Sequence, residues 1–234
     1  MTQKKNLIIV GDGEFAEIAY EYFTYDSKYD VKAFAVEKEY LTKETLYDLP
    51  IISLDELELK FPKDKYETFV AITFTQLNRV RTRIYQYLKS KGYRCATYIS
   101  SKAFVWKNVT VGENCFIFEN NTIQHHVSIG NNVILWSGNH IGHRSSIEDN
   151  CFISSHVVVS GYCSLGKNCF VGVNSTFVDN IAIGNDCFIG AGSFLSKSIK
   201  EGTMWKVPVS ARAETSNLSS FRFFKIDEKL CEVK

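Results

Sequence analysis

The sequence predicts an α/β domain over residues 1–100 followed by a parallel β-helix over residues 101–200. Up to about residue 100, short apolar runs alternate with amphipathic stretches of helical spacing. From Val105 to Leu195, an apolar residue recurs at every sixth position without a break. Proline is absent from residue 63 to residue 207. An uninterrupted ladder of short strands is therefore possible in the second half.

The first hundred residues have the alternation expected of a small parallel sheet flanked by helices. KNLIIVGDG predicts a buried strand that ends in a glycine turn, and EFAEIAYEYFTY predicts the helix after it. VKAFAV and ETFVAITF predict two further strands. In QLNRVRTRIYQYLKSKGY, apolar residues recur at helical spacing from Leu77 to Leu88, and Gly92 suits the end of that helix.

The repeat in the second half has a period of six. Its sixteen positions all hold Val, Ile, Leu or Phe, and at ordinary composition the chance of such a run is far below about one in a million. Three repeats make one triangular coil, so residues 18 apart stack in a column at about 4.8 Å. Glycine follows the repeated residue at seven positions, where we expect corners that need a permissive backbone. These glycines are Gly112, Gly130, Gly142, Gly166, Gly172, Gly184 and Gly190.

Five of the seven cysteines fall two residues before the repeated apolar position. A period-two strand points that residue inward, and there a thiol acts as a compact apolar filler. We therefore expect structural cysteines and no acyl-cysteine intermediate. The small inward residues include Cys115, Ser145, Cys151, Cys163, Cys169, Ser175, Cys187 and Ser193.

Composition narrows the function classes. The chain has 234 residues, 45% of them hydrophobic and 23% charged, with a formal net charge of +1. This balance gives no field that attracts nucleic acid, and no basic run is interleaved with aromatic residues. The first apolar run, residues 7–10, is too short for a signal peptide or a membrane span. We expect a cytoplasmic protein without nucleic-acid partners or membrane insertion.

The column spacing sorts the five histidines. His126, His140 and His156 fall in three different columns. The column that contains two histidines consists of His125, His143, Gly161, Asp179 and Lys197. Three interpretations stay open for this pair: surface corner residues, a general base, or zinc ligands, since zinc requires three protein ligands and an open position.

The whole chain resembles bacterial sugar acyltransferases with a small N-terminal Rossmann-like domain and a C-terminal left-handed β-helix. The family includes nucleotide-linked amino-sugar N-acetyltransferases and the sialic acid O-acetyltransferase group. LIIVGDGEFAE, FVAITFTQLNRVRTRIYQYLKSKGY and IGHRSSIEDNCFISSHVVVSGYCSLGKNCFVGVNSTFVDNIAIGNDCFIGAGS carry the resemblance. It implies the left hand of the β-helix, since parallel crossover connections ordinarily turn right.

The resemblance also implies a homotrimer with coenzyme A between neighbouring β-helices. Residues 201–234 would then form a C-terminal tail near the coenzyme A site. Outward aromatic residues on the β-helix are consistent with flanks buried in such a trimer. These residues are Phe116, Trp136, Phe152, Phe170 and Phe188.

The family's general base is a histidine that matches His143 in the segment IGHR. Arg144 occupies the position of the acid that would orient the ring, so the candidate orienting groups are Glu148, Asp149 or a group from another subunit. If His143 does not reach the amine, a water relay is the alternative. Its candidate residues are Asn139, His140 and Asn174.

The family's thioester carbonyl accepts a hydrogen bond from a backbone N–H, and that glycine matches Gly161 in VVVSG. A protonated amine cannot attack a thioester, and imidazole is suited to accept its proton near neutral pH. The resulting oxyanion needs a fixed donor, which the Gly161 amide would supply. We expect direct transfer from acetyl-CoA in a ternary complex.

GDGEFA matches a dinucleotide-binding fingerprint whose backbone N–H groups approach a phosphate. The resemblance directs this site toward the diphosphate of a nucleotide sugar, although Val36 and Glu37 stand where relatives often have paired acids. The expected substrate-binding residues are Gly11, Gly13, Glu14, Phe15, Glu37, Thr73 and His125. The expected coenzyme A-binding residues are Ser160, Gly161, Gly172, Gly190, Lys197 and Pro208, with Lys206 as a further candidate.

These features together predict a sugar N-acetyltransferase of polysaccharide or O-antigen synthesis. Its substrates would be acetyl-CoA and a nucleotide-linked amino sugar, such as a 4-amino-4,6-dideoxy sugar, and no metal is expected. The alternatives are a sugar O-acetyltransferase, a metal-dependent hydratase of the carbonic anhydrase type, and a non-catalytic scaffold that binds sugar nucleotides.

Overall fold

The computed structural model describes residues 4–207. The first domain has the predicted α/β fold, with strand order β3-β4-β2-β1-β5, in which only β3 and β4 pair antiparallel. Its elements are β1 (Lys5–Val10), α1 (Glu14–Tyr25), β2 (Tyr29–Val36), β3 (Thr45–Leu46), β4 (Leu49–Ser53), α2 (Leu57–Lys60), β5 (Tyr66–Val70) and α3 (Arg79–Ser90), with 3-10 turns at Lys38–Tyr40 and Leu54–Glu56. Alternate residues of β1 pack to opposite sides of the sheet, which gives the domain two apolar layers.

Two details differ from the sequence prediction. Strand β4 was not anticipated, because LPIIS is short and contains Pro50. Helix α3 begins at Arg79 and not at Leu77, since three consecutive residues before it have φ of 51° to 67° and cannot continue a right-handed helix. Gly92 follows the helix with φ of 85°, in agreement with the expected terminating glycine.

The second domain is a left-handed parallel β-helix of two-residue strands. Its strands are β6 (Tyr98–Ile99), β7 (Phe104–Val105), β8 (Thr110–Val111), β9 (Phe116–Ile117), β10 (Thr122–Ile123), β11 (Ser128–Ile129), β12 (Ile134–Leu135), β13 (His140–Ile141), β14 (Ser146–Ile147), β15 (Phe152–Ile153), β16 (Val158–Val159), β17 (Ser164–Leu165), β18 (Phe170–Val171), β19 (Thr176–Phe177), β20 (Ala182–Ile183), β21 (Phe188–Ile189), β22 (Phe194–Leu195) and β23 (Met204–Trp205). The sixteen repeat positions each form the second residue of a strand, from β7 to β22. The predicted period is therefore confirmed in every coil.

The strands form three sheets, one on each face of a triangular prism. The first face contains β7, β10, β13, β16, β19 and β22, and the second contains β8, β11, β14, β17 and β20. The third sheet, which we name the covered face, contains β6, β9, β12, β15, β18, β21 and β23.

Three corners connect these faces, and each recurs every 18 residues along the chain. The histidine corner, residues 142–145 and their counterparts, joins the first face to the second. The asparagine corner, residues 148–151 and their counterparts, joins the second face to the covered face. The third corner, residues 154–157 and their counterparts, returns to the first face.

The corner glycines have a different role from the predicted one. From β8 to β21, the left-handed backbone lies at the third residue after each strand, which is most often asparagine, as at Asn132 with φ of 59°. Gly130 and Gly142 do not have positive φ. A Cβ on Gly142 would lie 2.5 Å from the carbonyl carbon of Ser160 in the next coil. These glycines are required for the close approach of successive coils, so the expectation of a permissive backbone there was wrong.

The inward cysteines are structural, as expected. Cys115, Cys151 and Cys169 are fully buried, and the Cys151 thiol donates to the carbonyl of Gly166, 3.1 Å away. All the cysteines within residues 4–207 are free thiols. Burial raises the pKa of Cys115 to about 12 and that of Cys95 to about 11, so neither is a thiolate at neutral pH.

The α/β domain packs against the covered face of its own β-helix. Phe116 projects from β9 into a cluster with Phe15 and Phe23, at ring-centroid distances of 5.5 and 5.8 Å. Phe152 is also buried in this cluster, and Trp136 and Phe170 pack at its edge. Most of the outward aromatic residues are therefore covered within one chain. The assignment of Phe116, Trp136, Phe152 and Phe170 to the flanks of a trimer was therefore wrong.

A polar network secures α3 to the asparagine corner. Arg81 is fully buried, and its guanidinium donates to the carbonyls of Thr73, Asn150 and Cys151 at 2.5, 3.1 and 3.2 Å. Burial lowers the pKa of Arg81 to about 9, so the group stays protonated at neutral pH. The carbonyl acceptors compensate for its lost hydration.

Among residues 4–207, no helix combines the length and apolarity needed to cross a bilayer.

Candidate active site

The histidine corner brings His125, His143 and Gly161 into one column, as the spacing of 18 predicts. The backbone ladder sets this stacking, since the N–H of Arg144 donates to the carbonyl of His125 and that of Tyr162 to the carbonyl of His143. The rings of His125 and His143 stack with centroids 5.5 Å apart and an interplanar angle of 25°. Both side chains are half-buried.

Gln124 holds His143 in place. Its Oε1 accepts a hydrogen bond from the backbone N–H of His143 at 2.9 Å and lies 3.2 Å from Nδ1 of the same residue. The sequence reasoning missed this residue, because Gln124 lies 19 residues before His143 and so falls outside its column of spacing 18.

The acids expected to orient His143 lie elsewhere. Glu148 and Asp149 belong to the asparagine corner, away from the histidine column. Asp149 accepts from the backbone N–H of Asn131 at 2.8 Å and pairs with Lys167 at 3.5 Å. The structure does not support an orienting role for Glu148 or Asp149 within one chain.

The His143 ring lies directly over Gly161. A Cβ on Gly161 would be 2.5 Å from Cε1 and 2.8 Å from Nε2 of His143, so the absence of a side chain there makes room for the imidazole. The N–H of Gly161 donates to Oδ1 of Asp179 at 2.8 Å. This N–H can donate to a thioester carbonyl only if the Asp179 side chain turns away.

Several polar side chains surround His143. Tyr162 stands edge-on to the ring at a centroid distance of 5.2 Å. On the other side, Nδ1 of His125 lies 2.9 Å from Nδ1 of His126. Desolvation and the neighbouring His126, His143 and Arg144 lower the pKa of His125, so this ring is uncharged at neutral pH.

The residues predicted for a water relay do not join this corner. The buried Asn139 donates through its amide to the carbonyl of Trp136 and accepts from the N–H of Val157, so its polar groups are used inside the coil. Asn174 lies at the third corner, where it adopts the left-handed conformation with φ of 56°. His140 lies on the first face, in β13. The geometry contradicts catalytic roles for Asn139 and Asn174 beside His143 of the same chain.

The α/β domain has a cavity of about 410 Å³ at the carboxyl ends of β1, β2 and β5. Gly11 and Gly13 line it, and Gly13 precedes α1 without a side-chain cap on the first helical N–H groups. Gly11 has φ of 127°, and a Cβ there would lie 2.8 Å from the carbonyl oxygen of Ala71. Exposed N–H groups at a helix N-terminus favour a phosphate.

Glu37 lines the same cavity at the end of β2. Arg83 binds its carboxylate through two hydrogen bonds of 2.6 and 2.8 Å, and this contact lowers the pKa of Glu37. A second cavity, of about 300 Å³, lies beside Gly13 and Trp136 and is lined by Glu14, Phe15 and Thr73. Phe15 is 5% exposed and packs chiefly in the core between the domains.

The residues predicted to bind coenzyme A divide between two corners. Ser160, Gly161 and the exposed Lys197 belong to the histidine corner, whereas Gly172 and Gly190 belong to the third corner. Lys206 is exposed after β23, and Pro208 lies outside the described residues. Within residues 4–207, no cluster of three or more His, Cys, Asp or Glu side chains could hold a metal ion.

The repeat and the coil geometry define the β-helix as a hexapeptide-repeat domain. The family model for the bacterial transferase hexapeptide of six repeats matches residues 108–143 and 126–161, and the model for the hexapeptide repeat of succinyl-transferase matches residues 162–197. The β-helix therefore matches these two hexapeptide-repeat models along residues 108–197. A comparison with curated protein sequences found no match.

Several solved structures share the fold of both domains. The acetyltransferase domain of PglB from Neisseria gonorrhoeae is 18% identical, with a TM-score of 0.77 over 86% of this chain and 96% of that one. PerB from Caulobacter crescentus, in complex with CoA and GDP-perosamine, is 21% identical, with a TM-score of 0.76 over 85% of this chain and 92% of that one. WeeI from Acinetobacter baumannii is 18% identical, with a TM-score of 0.73 over 86% of this chain and 96% of that one.

Proposed function

We propose that the protein is an acetyl-CoA-dependent N-acetyltransferase that acts on a nucleotide-linked amino sugar, with His143 as the general base. The observation that carries the proposal is the imidazole of His143, held by Gln124 and packed over Gly161 at a corner of a transferase hexapeptide helix. The PerB complex with CoA and GDP-perosamine supports the two substrate classes. A 4-amino-4,6-dideoxy sugar is the proposed sugar class.

The proposed reaction is a direct acyl transfer. The unprotonated sugar amine attacks the thioester carbonyl, and His143 accepts the proton that the nitrogen loses. The N–H of Gly161 donates to the oxyanion of the tetrahedral intermediate once Asp179 has turned away. Collapse of the intermediate breaks the C–S bond, and the imidazolium returns its proton to the departing thiolate. The products are an acetamido sugar and coenzyme A.

A complete site requires two copies of the chain. The α/β domain packs on the covered face, whereas the histidine corner is the corner that does not border this face. The nucleotide cavity and His143 of one chain therefore lie on different sides of the β-helix. A homotrimer with parallel β-helices would bring the histidine corner of one subunit toward the nucleotide-binding side of the next.

The first face provides apolar surface for such an assembly. Phe104, Val158 and Phe194 project from it and are 52%, 37% and 61% exposed. On this face, His140 of β13 pairs with Val158 of β16 in the parallel backbone ladder. The coenzyme A residues predicted at two different corners would likewise meet between adjacent subunits. We expect a trimer by analytical ultracentrifugation.

A thiol-release assay with acetyl-CoA and a panel of nucleotide-linked amino sugars tests the proposal. We expect release of coenzyme A that depends on the amine, and His143→Ala should lower kcat by about 10²- to 10⁴-fold without changing the fold. His156→Asn is the matched control, because it removes a corner histidine and keeps a residue suited to its φ of 59°.

The same assay separates the alternatives. Release only with hydroxyl acceptors would favour a sugar O-acetyltransferase. Binding of the nucleotide sugar without release of coenzyme A would favour a scaffold. Stoichiometric zinc in the purified protein, with carbon dioxide hydration, would favour a hydratase. Full turnover by His143→Ala would overturn the assigned base.

A further inference from the structure

We infer that Gln124 is the positioning residue of the site: its side-chain oxygen fixes the His143 imidazole in the Nδ1–H tautomer and leaves Nε2 to accept a proton. The catalytic consequence of this inference rests on the proposed function. The tautomer follows from the hydrogen bonds alone.

The backbone of His143 identifies the amide atom that faces it. A backbone N–H can only donate, so the Gln124 atom at 2.9 Å must be the oxygen and not the nitrogen. The same oxygen lies 3.2 Å from Nδ1 of His143, and it can only accept there as well. Nδ1 therefore carries the hydrogen, and the lone pair of the neutral imidazole resides on Nε2.

The surroundings keep the ring in this orientation. The backbone N–H of Gln124 donates to the carbonyl of Ile141 at 3.0 Å, so the orienting residue is itself anchored in the coil ladder. Gly161 lies beneath the imidazole, the His125 ring stacks against it and Tyr162 packs against its edge. A rotated ring would lose the Gln124 contact and collide with these neighbours.

An amide acts on the base differently from a carboxylate. Both accept the Nδ1 hydrogen, but only a carboxylate adds a negative charge that stabilises the imidazolium. The charged and titratable groups around the ring are Arg144 and His125 beside it, His126 beyond His125, Tyr162 at its edge, and Asp179 on the N–H of Gly161. Because Gln124 is neutral, it accepts the Nδ1 hydrogen without adding a charge that would stabilise the imidazolium.

Two substitutions of Gln124 test this role. Gln124→Glu keeps an acceptor for both N–H groups and adds a charge, so the acid limb of the kcat/KM profile should move to higher pH by about one unit. Gln124→Met removes the acceptor and should lower kcat by about 10- to 100-fold, with KM for acetyl-CoA within about twofold. Glu148→Gln is the matched control and should change neither quantity, since Glu148 lies at another corner.

Nitrogen-15 NMR of histidine-labelled protein tests the tautomer without requiring activity. We expect a protonated Nδ1 and an unprotonated Nε2 in the neutral ring of His143, and loss of this preference in Gln124→Met. A predominant Nε2–H tautomer in the wild type, or an unmoved acid limb in Gln124→Glu, would overturn the inference. If no amino sugar is acetylated, the proposed function fails, and the NMR result still decides the role of Gln124.

Discussion

The asparagine corner and the histidine corner use the same backbone for different purposes. Each places a left-handed residue three positions after the strand, for example Asn150 with φ of 65° and Arg144 with φ of 56°. At the asparagine corner these side chains form a ladder in which every amide donates to the next coil. Its members are Asn114, Asn132, Asn150, Asn168 and Asp186.

At the histidine corner the same position holds the exposed residues His126, Arg144, Tyr162 and Asn180. The difference lies in what covers each corner. Helix α3 lies on the asparagine corner, where Arg81 donates to the coil carbonyls and Arg79 pairs with Asp186 at 2.6 Å. No such element of residues 4–207 covers the histidine corner. The repeated asparagine side chains under α3 would add stability. The varied and exposed side chains of the histidine corner are free to contact a substrate.

The largest expected effect falls at the asparagine corner, which α3 covers. Arg81→Met removes the buried guanidinium and leaves carbonyls such as those of Thr73 and Asn150 without this donor, so we expect a loss of about 3 kcal/mol in the free energy of unfolding. Chemical denaturation measures it. Arg83→Met is the control, since its ion pair with Glu37 is exposed and should contribute below about 1 kcal/mol. Equal losses in the two variants would contradict the role of burial.

At the histidine corner the corresponding effect is kinetic. Gly161→Ala puts a Cβ within 2.5 Å of the His143 ring, which must then move. A displacement of about 1 Å in a catalytic group costs about 10²-fold in rate, so kcat should fall to that extent. The control is Gly192→Ala, a glycine with open space around its Cβ position, although its φ of 68° carries a cost in stability. Unchanged kcat in Gly161→Ala would mean that catalysis does not depend on the position of the His143 ring.

The sequence predicted the strands of the β-helix better than the contact between the α/β domain and the covered face. The period of six located the strands from β7 to β22 because each repeat forms a coil from its own local pattern. It could not show that Phe116 faces the α/β domain, since an outward aromatic residue has the same register whether a domain or a second subunit covers it. The burial of Arg81 depends on the packing of α3 and leaves no signal in a local pattern.

The candidate site divides in the same way. The spacing of 18 brought His125, His143 and Gly161 into one column, because columns follow from the period. The same spacing did not reveal that Gln124 faces the ring, since this contact depends on a side chain that reaches across one coil. It also did not reveal that the Asn139 side chain forms its hydrogen bonds inside the coil, with the carbonyl of Trp136 and the N–H of Val157. The spacing identified neighbouring residues only where backbone periodicity alone determined which residues meet.

A paired substitution sharpens the comparison between the corners. Asn150→Ala and Asn180→Ala both place alanine at a left-handed position, with φ of 65° and 63°, so both carry the same backbone cost. Only Asn150 donates to Asn168, at 3.1 Å, and accepts from Asn132, at 2.9 Å. We expect Asn150→Ala to lose about 1 to 2 kcal/mol more stability than Asn180→Ala in chemical denaturation. A difference near zero would mean that backbone conformation, and not the ladder, selects asparagine.

The smallest expected effect concerns the contact that occupies the proposed oxyanion donor. Asp179 accepts the N–H of Gly161 at 2.8 Å, and acetyl-CoA must compete with it for that hydrogen bond. Removal of the carboxylate in Asp179→Ala should lower KM for acetyl-CoA by about three- to tenfold, the equivalent of roughly one hydrogen bond. Asp186→Ala, at the asparagine corner, is the control and should reduce stability without changing KM, since Asp186 pairs with Arg79 and Asn168. A higher KM in Asp179→Ala would mean that this carboxylate binds or orients a substrate, and the Gly161 amide would then not be the thioester donor.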